Sequence, residues 1–358
     1  MKIAAGLLAF ALALSACSGT TQVGDAASGA GGDAQAEEGA AADGGRIRIA
    51  LGDIEGVETL NLLIAIERLR ERGVDAQLTE FAEEDLANQA VVGGQADVGL
   101  GAPYAVIQEV DAPIRAFCQL QTLRFFAVVD RQAYPDWQAL NGESITVHSR
   151  GSSTEGMARY VEQVEGIEFG EISYVPGAEV RATALLQGNV RATFLDIPNF
   201  NFVMSEEPDR FHQLPLPEIP ATDEALFGQV EWLEQNQEVV QALLEEVLAV
   251  WRAIVEDPSF VVEERERLGL LPDLPPELEE ELLPYYEQAS QEGVFATDCG
   301  GTEAAEADFE FYTVAGQLEG EPDQLQVEDF WYFDPLDQAL QTVGDAAATG
   351  ATDAATGG

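Results

Sequence analysis

Apolar and polar positions alternate at the start of the segment that we expect to fold. Residues 46–51, RIRIAL, have the two-residue period of a half-buried strand. Residues 57–73 then carry apolar side chains at helical spacing and end in a glycine. Further strands are expected near 77–81 and over 96–100, with a helix between them that ends at Gly94. Strands that alternate with helices in this way predict a mostly parallel sheet.

The middle of the chain repeats this alternation. The pattern predicts strands over 144–148, 171–175 and 190–195, and helices over 153–164 and 179–187. We therefore predict a second α/β lobe with a plan similar to the first.

The last third of the chain is predicted to be helical. Residues 238–258 carry an apolar stripe at helical spacing that includes Trp251. Further helices are expected over 259–268 and 276–291. We interpret the Trp251 stripe as core and not as part of a cofactor site.

The first residues have the pattern of a lipoprotein signal peptide. An apolar run over 3–14 is too short to span a bilayer but suits a signal peptide. Residues 14–17, Leu-Ser-Ala-Cys, resemble a bacterial lipobox, in which the cysteine, here Cys17, is diacylated. An ordinary signal peptide cleaved nearby is the alternative. We predict a signal peptide over 1–17 and an extracytoplasmic protein that is lipid-anchored to the cell membrane.

Two segments are predicted not to fold. Residues 18–45 and 344–358 consist mostly of small and acidic residues and cannot bury enough apolar surface to form a core. We predict that the first is a flexible acidic linker and the second a disordered tail. The folded part is then 46–343.

The chain is strongly acidic. Its 358 residues carry a formal net charge of −48, and the sequence pI is about 4.1. Nucleic acid is not an expected partner, and neither is an anionic membrane surface, because both bind basic faces. A salt-loving host would explain the acidity, and acidic drift in a GC-rich genome is the alternative.

The chemistry that the sequence lacks excludes several enzyme classes. It contains no GxSxG, HExxH, GxxxxGK[ST] or CxxC motif. His148 and His212 are its only histidines, so a histidine-based metal site is not expected. Its one lysine, Lys2, lies in the predicted signal peptide, which excludes a Schiff base in the mature protein. We expect no catalytic residue, metal or cofactor, although the many acidic residues leave a catalytic carboxylate pair open.

Cys118 and Cys299 are the two cysteines outside the lipobox. A disulfide between them is permitted outside the cytoplasm. Because it would close a long loop, the chain-entropy model gives it roughly 5 kcal/mol. Two separate buried thiols are the alternative, since spacing does not show that the sulfur atoms meet.

Three hydroxyl side chains lie where a predicted strand passes into a helix. Ser152, Ser153 and Thr154 stand at this point, whereas a helix start needs only one capping oxygen. A helix N-terminus offers free N–H groups and positive partial charge, which suit a carboxylate or sulfonate. We interpret the three hydroxyls as ligand contacts, with simple capping as the alternative.

Several motifs in a fixed order resemble one family of transport proteins. They are VVGGQADVGLGAPYAV, ALNGESITVHSRGSSTEGMARYV, LLQGNVRATFLDIPNF and FWYFDPLDQALQTVG. Together with RIRIALGDIEG, they resemble the extracytoplasmic solute-binding proteins of ABC importers, specifically the nitrate/sulfonate/taurine and thiamine-precursor group. The resemblance covers nearly all of 46–343.

This resemblance implies an α/β fold of the type II periplasmic-binding-protein class. Such a fold has two lobes, a hinge of two crossing strands and here a helical C-terminal part. Lobe one would comprise 46–125 plus 214–343, and lobe two 126–213. The protein, expected to be a monomer, would trap a small solute between the lobes and deliver it to ABC transporter permease subunits.

The resemblance also implies which residues line the cleft. They are Gly52, Asp53, Ile54, Pro103, Tyr104, Ser152, Ser153, Thr154, Asp196 and Asn199. The family's solutes imply a ligand like a sulfonate or taurine, like nitrate, or like a pyrimidine or thiamine precursor.

One departure from the family changes the expected ligand. Asp53 stands where the family has an aromatic residue or glutamine, and its charge disfavours an anion unless Arg150 or Arg181 compensates. We therefore also consider a zwitterion, a cation or a neutral ring compound as the expected ligand. Such a ring could stack on an aromatic side chain, for which the candidates are Tyr104, Phe125 and Phe200, with a place in the core as the alternative for each.

Two other functions fit the same fold. One is a binding module that presents its ligand to a membrane sensor instead of a permease. The other is an enzyme on the same two-lobed fold, against which the predicted lipobox and the missing lysine argue.

Overall fold

The computed structural model describes residues 45–81, 83–109, 113–217 and 219–344. The predicted signal peptide with Cys17, the linker up to residue 44 and the tail from residue 345 lie outside the described residues. Within the described ranges, no helix is long and apolar enough to cross a membrane.

Strands and helices alternate through the first two thirds of the described chain. The strands are Arg46–Leu51 (β1), Asp75–Glu80 (β2), Val98–Gly101 (β3), Ile114–Thr122 (β4), Phe126–Asp130 (β5), Ser144–Val147 (β6), Glu171–Tyr174 (β7), Ala192–Leu195 (β8), Phe211–Leu214 (β9) and Thr222–Gln229 (β10). The α-helices are Leu60–Glu71 (α1), Glu84–Val92 (α2), Tyr104–Glu109 (α3), Ser153–Glu165 (α4), Ala178–Leu186 (α5), Ile197–Glu206 (α6), Val230–Gln235 (α7), Gln237–Glu256 (α8), Phe260–Leu268 (α9), Pro276–Gln291 (α10), Gly301–Val314 (α11) and Asp334–Val343 (α12). Short 3-10 helices lie at Trp137–Leu140, Pro322–Gln324 and Val327–Asp329.

Two five-stranded sheets organise these elements. The first has the order β2-β1-β3-β10-β4, in which β1 is parallel to β2 and β3, and β10 is antiparallel to β3 and β4. The second repeats the plan in the order β7-β6-β8-β5-β9, with β5 antiparallel to β8 and β9. The prediction of two α/β lobes of similar plan is confirmed.

Two connections join the sheets. β4 passes to β5 through 123–125, and β9 passes to β10 after Leu214. The backbone N–H of Leu123 donates to the carbonyl of Ala221 at 2.8 Å, which holds the two connections together. The predicted lobe boundary at 213/214 divides β9, because Leu214 still pairs with Ala127 in the second sheet.

The C-terminal helices pack against the first sheet. α8 buries the predicted apolar stripe except for Val255 at its end, and Trp251 has no exposed surface. Its indole N–H donates to the carbonyl of Leu120 in β4 at 2.7 Å. The prediction that Trp251 belongs to the core is confirmed.

A disulfide lies in the core of the first lobe. Cys118 in β4 and Cys299, just before α11, have their sulfur atoms 2.10 Å apart, and both residues are fully buried. The backbone N–H of Gln119 also donates to the carbonyl of Cys299 at 3.0 Å. The disulfide thus joins β4 to the C-terminal helical part.

Candidate functional site

A small chamber lies between the two sheets, at the carboxyl ends of parallel strands in both. Gly52 follows β1, Gly101 ends β3 and His148 follows β6, which places the chamber where open α/β sheets bind ligands. Its lining residues are Gly52, Asp53, Glu58, Glu84, Leu100, Gly101, Phe125, His148, Ser152, Ser153, Thr154, Ala178, Arg181, Asp223 and Glu224. Its free volume is about 40 Å³, and we call it the acidic chamber.

A second space lies beside the acidic chamber. This adjoining chamber has a free volume of about 240 Å³ and shares Asp53, Glu58 and Ala178 with the first. Its other lining residues are Ile54, Glu55, Gly56, Val57, Thr59, Glu179, Asp196, Pro198, Asn199, Leu274, Pro275 and Leu278. The two chambers together form a cleft with walls from both lobes.

Most of the predicted site residues line one of these chambers. Gly52, Asp53 and the three hydroxyl residues line the acidic chamber, and Ile54, Asp196 and Asn199 line the adjoining one. The structure thus brings the predicted loops together, while their role as ligand contacts stays a prediction.

Pro103 and Tyr104 are exceptions, because neither lines the two chambers. Tyr104 is 1% exposed and its hydroxyl donates to the carboxylate of Asp308, which is fully buried. Its ring packs at 4.7 Å from that of Tyr312. Tyr104 is therefore part of the core of the first lobe, and it does not offer a stacking face to a ligand.

Phe200, the third aromatic candidate, also lies away from the acidic chamber. Its ring stacks on Phe126 with the centroids 4.2 Å apart. Phe125 does line the acidic chamber, so one of the three predicted stacking rings faces the cleft.

Two of the three hydroxyls at the start of α4 act within their own loop. The Ser152 hydroxyl accepts from the N–H of Glu155 at 3.3 Å, which caps the helix, and donates to the carbonyl of Ser149 at 2.8 Å. The Thr154 hydroxyl accepts from the N–H of His148 at 3.0 Å. These contacts hold the turn between β6 and α4.

The third hydroxyl reaches the other lobe. Ser153 donates to Oδ1 of Asp223 in β10 at 2.6 Å. The partner of this helix start is therefore a carboxylate of the protein itself, and Asp223 takes the place that the sequence analysis gave to an anionic ligand.

His148 also connects the two lobes. The N–H of Gly177 donates to its Nδ1 at 3.3 Å, so the ring proton lies on Nε2, which donates to the carbonyl of Gly52 at 3.2 Å. Burial lowers the pKa of His148, opposed by the nearby Asp53 carboxylate. The imidazole is thus a neutral bridge between the lobes.

Burial is the largest cause of the raised pKa values of three carboxyl groups in the acidic chamber. It raises the pKa of Asp223 to about 7, against the hydrogen bond from Ser153. It also raises the pKa of Glu224 and of Glu84 well above the ordinary value, although Glu84 accepts from the N–H of Ala102 at 3.0 Å. Neighbouring carboxylates add to each shift, so a negative charge is costly at each of these positions.

Glu58 and Asp196 form an acid pair across the two lobes. Burial, followed by the charge of Asp196, raises the pKa of Glu58 well above its usual value. Burial also raises the pKa of Asp196, which accepts from the N–H and Nδ2 of Asn199 at 2.8 and 2.9 Å. Because Asp196 has these donors, we place the proton of the pair on Glu58.

Arg181 is the only arginine among the residues that line the two chambers. It is 1% exposed, and its guanidinium donates to the carbonyls of Val175 at 3.0 Å and Phe194 at 3.4 Å. These contacts hold the guanidinium against the backbone of the second lobe. Arg150, the other predicted source of positive charge, lines a separate pocket and lies over the ring of Tyr174.

Glu58, Glu84, His148, Asp223 and Glu224 were not predicted for the cleft. Asp223 and Glu224 lie on β10, a strand that the hydrophobic pattern did not reveal. The chain has 65 acidic residues, so composition does not single out these four. Glu84 packs closely against the backbone of β3, because a Cβ at Gly101 would lie 2.5 Å from its Oε1. The glycine at position 101 is the one sequence feature that relates to this contact.

Among the described residues, no group of His, Cys, Asp and Glu side chains is arranged to hold a metal ion. The acidic chamber presents several carboxyl groups and the aromatic ring of Phe125.

Comparison with known proteins identifies a family and a fold. The family model described as NMT1/THI5 like matches residues 61–260. No protein of curated function matches the chain.

Solved structures share the architecture over most of the chain. A protein from Bordetella bronchiseptica RB50 is 19% identical with a TM-score of 0.67, and the match covers 84% of this chain and 98% of that protein. The periplasmic nitrate-binding protein NrtA from Synechocystis PCC 6803 is 15% identical with a TM-score of 0.63, covering 85% and 90%. A putative periplasmic sulfonate-binding protein, SsuA from Methylobacillus flagellatus KT, is 18% identical with a TM-score of 0.57, covering 83% and 94%. The chain thus has the periplasmic-binding-protein fold.

Proposed function

Because this chain belongs to the NMT1/THI5-like family, we propose that it is the solute-binding component of an ABC importer. In this role it captures a small molecule between its lobes and presents it to permease subunits. The related folds of NrtA and SsuA, which are described as binding proteins for nitrate and sulfonate, support the transport role.

The observation that carries this proposal is a cleft whose walls come from two lobes, which are joined by two connections within the described part of the chain. Hydrogen bonds cross the cleft from Ser153 to Asp223 at 2.6 Å and from His148 to Gly52 at 3.2 Å. Contacts of this kind form when the lobes close and break when they open. Hinge closure around a solute then couples binding to recognition by the permease.

We place the protein outside the cytoplasm, held to the membrane by a lipid at Cys17. The lipobox and the acidic linker over 18–45 support this anchor. Metabolic labelling with palmitate tests it, because the Cys17→Ala variant should take up no label.

The transport role predicts retention of one molecule without turnover. The chain from Ser18 onward is incubated with a metabolite extract, separated from free molecules by gel filtration and denatured. Mass spectrometry should then find one compound released unchanged, at about one per protein. Conversion of an extract component would indicate an enzyme, and release of nothing would contradict a solute-binding function.

A further inference from the structure

Carboxyl groups far outnumber basic side chains in the cleft. The carboxyl side chains that line it are Asp53, Glu55, Glu58, Glu84, Glu179, Asp196, Asp223 and Glu224. Only Arg181 opposes them among the lining residues, and its guanidinium is held by backbone carbonyls. A bound cation would lower the cost of ionising these buried carboxyl groups, whereas an anion would raise it.

Several of these carboxyl groups have acceptor capacity that the protein does not use. An ionised carboxylate accepts up to about four hydrogen bonds. Glu84 receives one from Ala102, and Asp223 receives one from Ser153. Within the described ranges, no N–H or O–H group of the protein donates to the carboxylate of Glu224. The carboxylate of Glu224 is therefore free to accept from a donor of another molecule.

Asn199 gives an independent indication of a donor. It is 5% exposed and lines the adjoining chamber, and its Oδ1 has no hydrogen-bond partner among the described residues. Its Nδ2 donates to Asp196 at 2.9 Å, which fixes the orientation of the amide and leaves Oδ1 as the free acceptor. A buried acceptor without a partner is costly, so this position is suited to an N–H group of a ligand.

The groups that would hold an anion are used within the protein. The Ser153 hydroxyl is bound to Asp223, and the Ser152 hydroxyl caps α4. A metal ion is also disfavoured, because the described residues contain no group arranged to coordinate one. These observations favour an organic cation over an anion or a metal ion.

We propose that the solute is a small organic cation with at least two N–H donors, of the diamine or guanidine class. Its cationic head would lie in the acidic chamber between Asp223 and Glu224, with a second donor directed toward Asn199. Phe125 lines the same chamber and offers an apolar contact to the carbon chain. This inference rests on the proposed function, since it assigns the solute class of the same cleft.

The test is calorimetric titration of the chain from Ser18 onward with matched probes. Putrescine and agmatine carry the proposed donors, tetramethylammonium is a cation without N–H groups, and butanesulfonate and nitrate are anions. The titrations are run in about 1 M salt, where a Debye length of about 3 Å screens non-specific attraction to the acidic surface. We expect saturable binding of putrescine or agmatine at one site, and no binding of the other three probes.

Matched variants locate the binding. Glu224→Gln removes one carboxylate from the acidic chamber and should weaken binding by about tenfold or more, as expected for a lost charged hydrogen bond. Glu306→Gln removes the same charge from an exposed position on α11 and should leave the affinity unchanged. A thermal melt of each variant confirms that it is folded, and Asp223→Asn serves as a second chamber variant.

Three results would overturn the inference. They are no binding of either amine, binding of butanesulfonate or nitrate, and equal effects of Glu224→Gln and Glu306→Gln. The metabolite-retention experiment distinguishes a failure of this inference from a failure of the proposed function. If the retained compound is neutral or anionic, the proposed transport role stands and the proposed cationic solute is wrong.

Discussion

The direction of each hydroxyl side chain at the start of α4 decides whether it stabilises its own helix or contacts the other lobe. Ser152 and Ser153 are adjacent, yet one caps its own helix and the other bonds across the cleft to Asp223. Only the second contact depends on the position of the other lobe. Substitution of Ser152 should therefore affect the stability of the fold, and substitution of Ser153 should affect the closure of the cleft.

Ser153→Ala should shift the protein toward a more open form. The variant loses a hydrogen bond to a carboxylate, which contributes about 2 kcal/mol when formed. Small-angle X-ray scattering should report a larger radius of gyration than for the wild type, with an unchanged melting temperature. Ser152→Ala is the control, because loss of a cap costs about 1 kcal/mol and lowers the melting temperature instead. An unchanged radius in Ser153→Ala would contradict this account.

The sequence predicted the loops of the site better than its side chains. Gly52 and Asp53 were taken from the family resemblance and the α4 start from its three hydroxyls, and these loops follow parallel strands at one edge of a sheet. Glu58 was missed because it follows Asp53 by five residues in an irregular segment whose side-chain directions depend on tertiary contacts. Tyr104 was placed wrongly for the same reason, since the partner that buries it, Asp308, comes from α11.

At the scale of elements, periodicity was reliable where one face of an element is buried. α10 was predicted at its observed bounds, and α8 at bounds within two residues of them. β10 was missed, because its sequence TDEALFGQ buries both faces in its second half and shows no alternation. It inserts between β3 and β4 through long-range pairing, which a local pattern does not contain.

Trp251→Ala should destabilise the first lobe strongly. Removal of a fully buried indole leaves a cavity and removes a hydrogen bond to the carbonyl of Leu120, and such substitutions cost about 3–5 kcal/mol. Val255→Ala on the same helix is the control, since Val255 is 43% exposed and its truncation should change stability by less than about 0.5 kcal/mol. Chemical denaturation measures both. Similar midpoints for the two variants would show that Trp251 is not a core anchor.

For the whole molecule, buried acids link stability to pH. Burial raises the pKa of Asp223, Glu179 and Asp308 to about 7 in each case. The same groups titrate near about 4 in an unfolded chain. The folded state therefore holds extra protons between these values. The stability that they provide is complete below pH 4 or so, and it is lost as the pH rises through about 7.

The melting temperature should accordingly be higher at about pH 5 than at about pH 8. Scanning calorimetry measures it at constant ionic strength, because a net charge of −48 makes stability depend on salt as well. Asp223→Asn combined with Glu179→Gln should flatten the profile, since amides do not titrate. A melting temperature that rises between the two pH values would refute the linkage.

The Cys118–Cys299 disulfide keeps the two lobes covalently joined after a single proteolytic cut between its cysteines. The bond spans 181 positions of sequence, and the whole second sheet lies between its two cysteines. A protease that cuts once in any surface loop of that interval divides the backbone but does not release a fragment. The nicked protein remains one covalent molecule until a reductant separates its halves. Outside the cell, where reductants are scarce, a cut in the second lobe therefore leaves both lobes attached to each other.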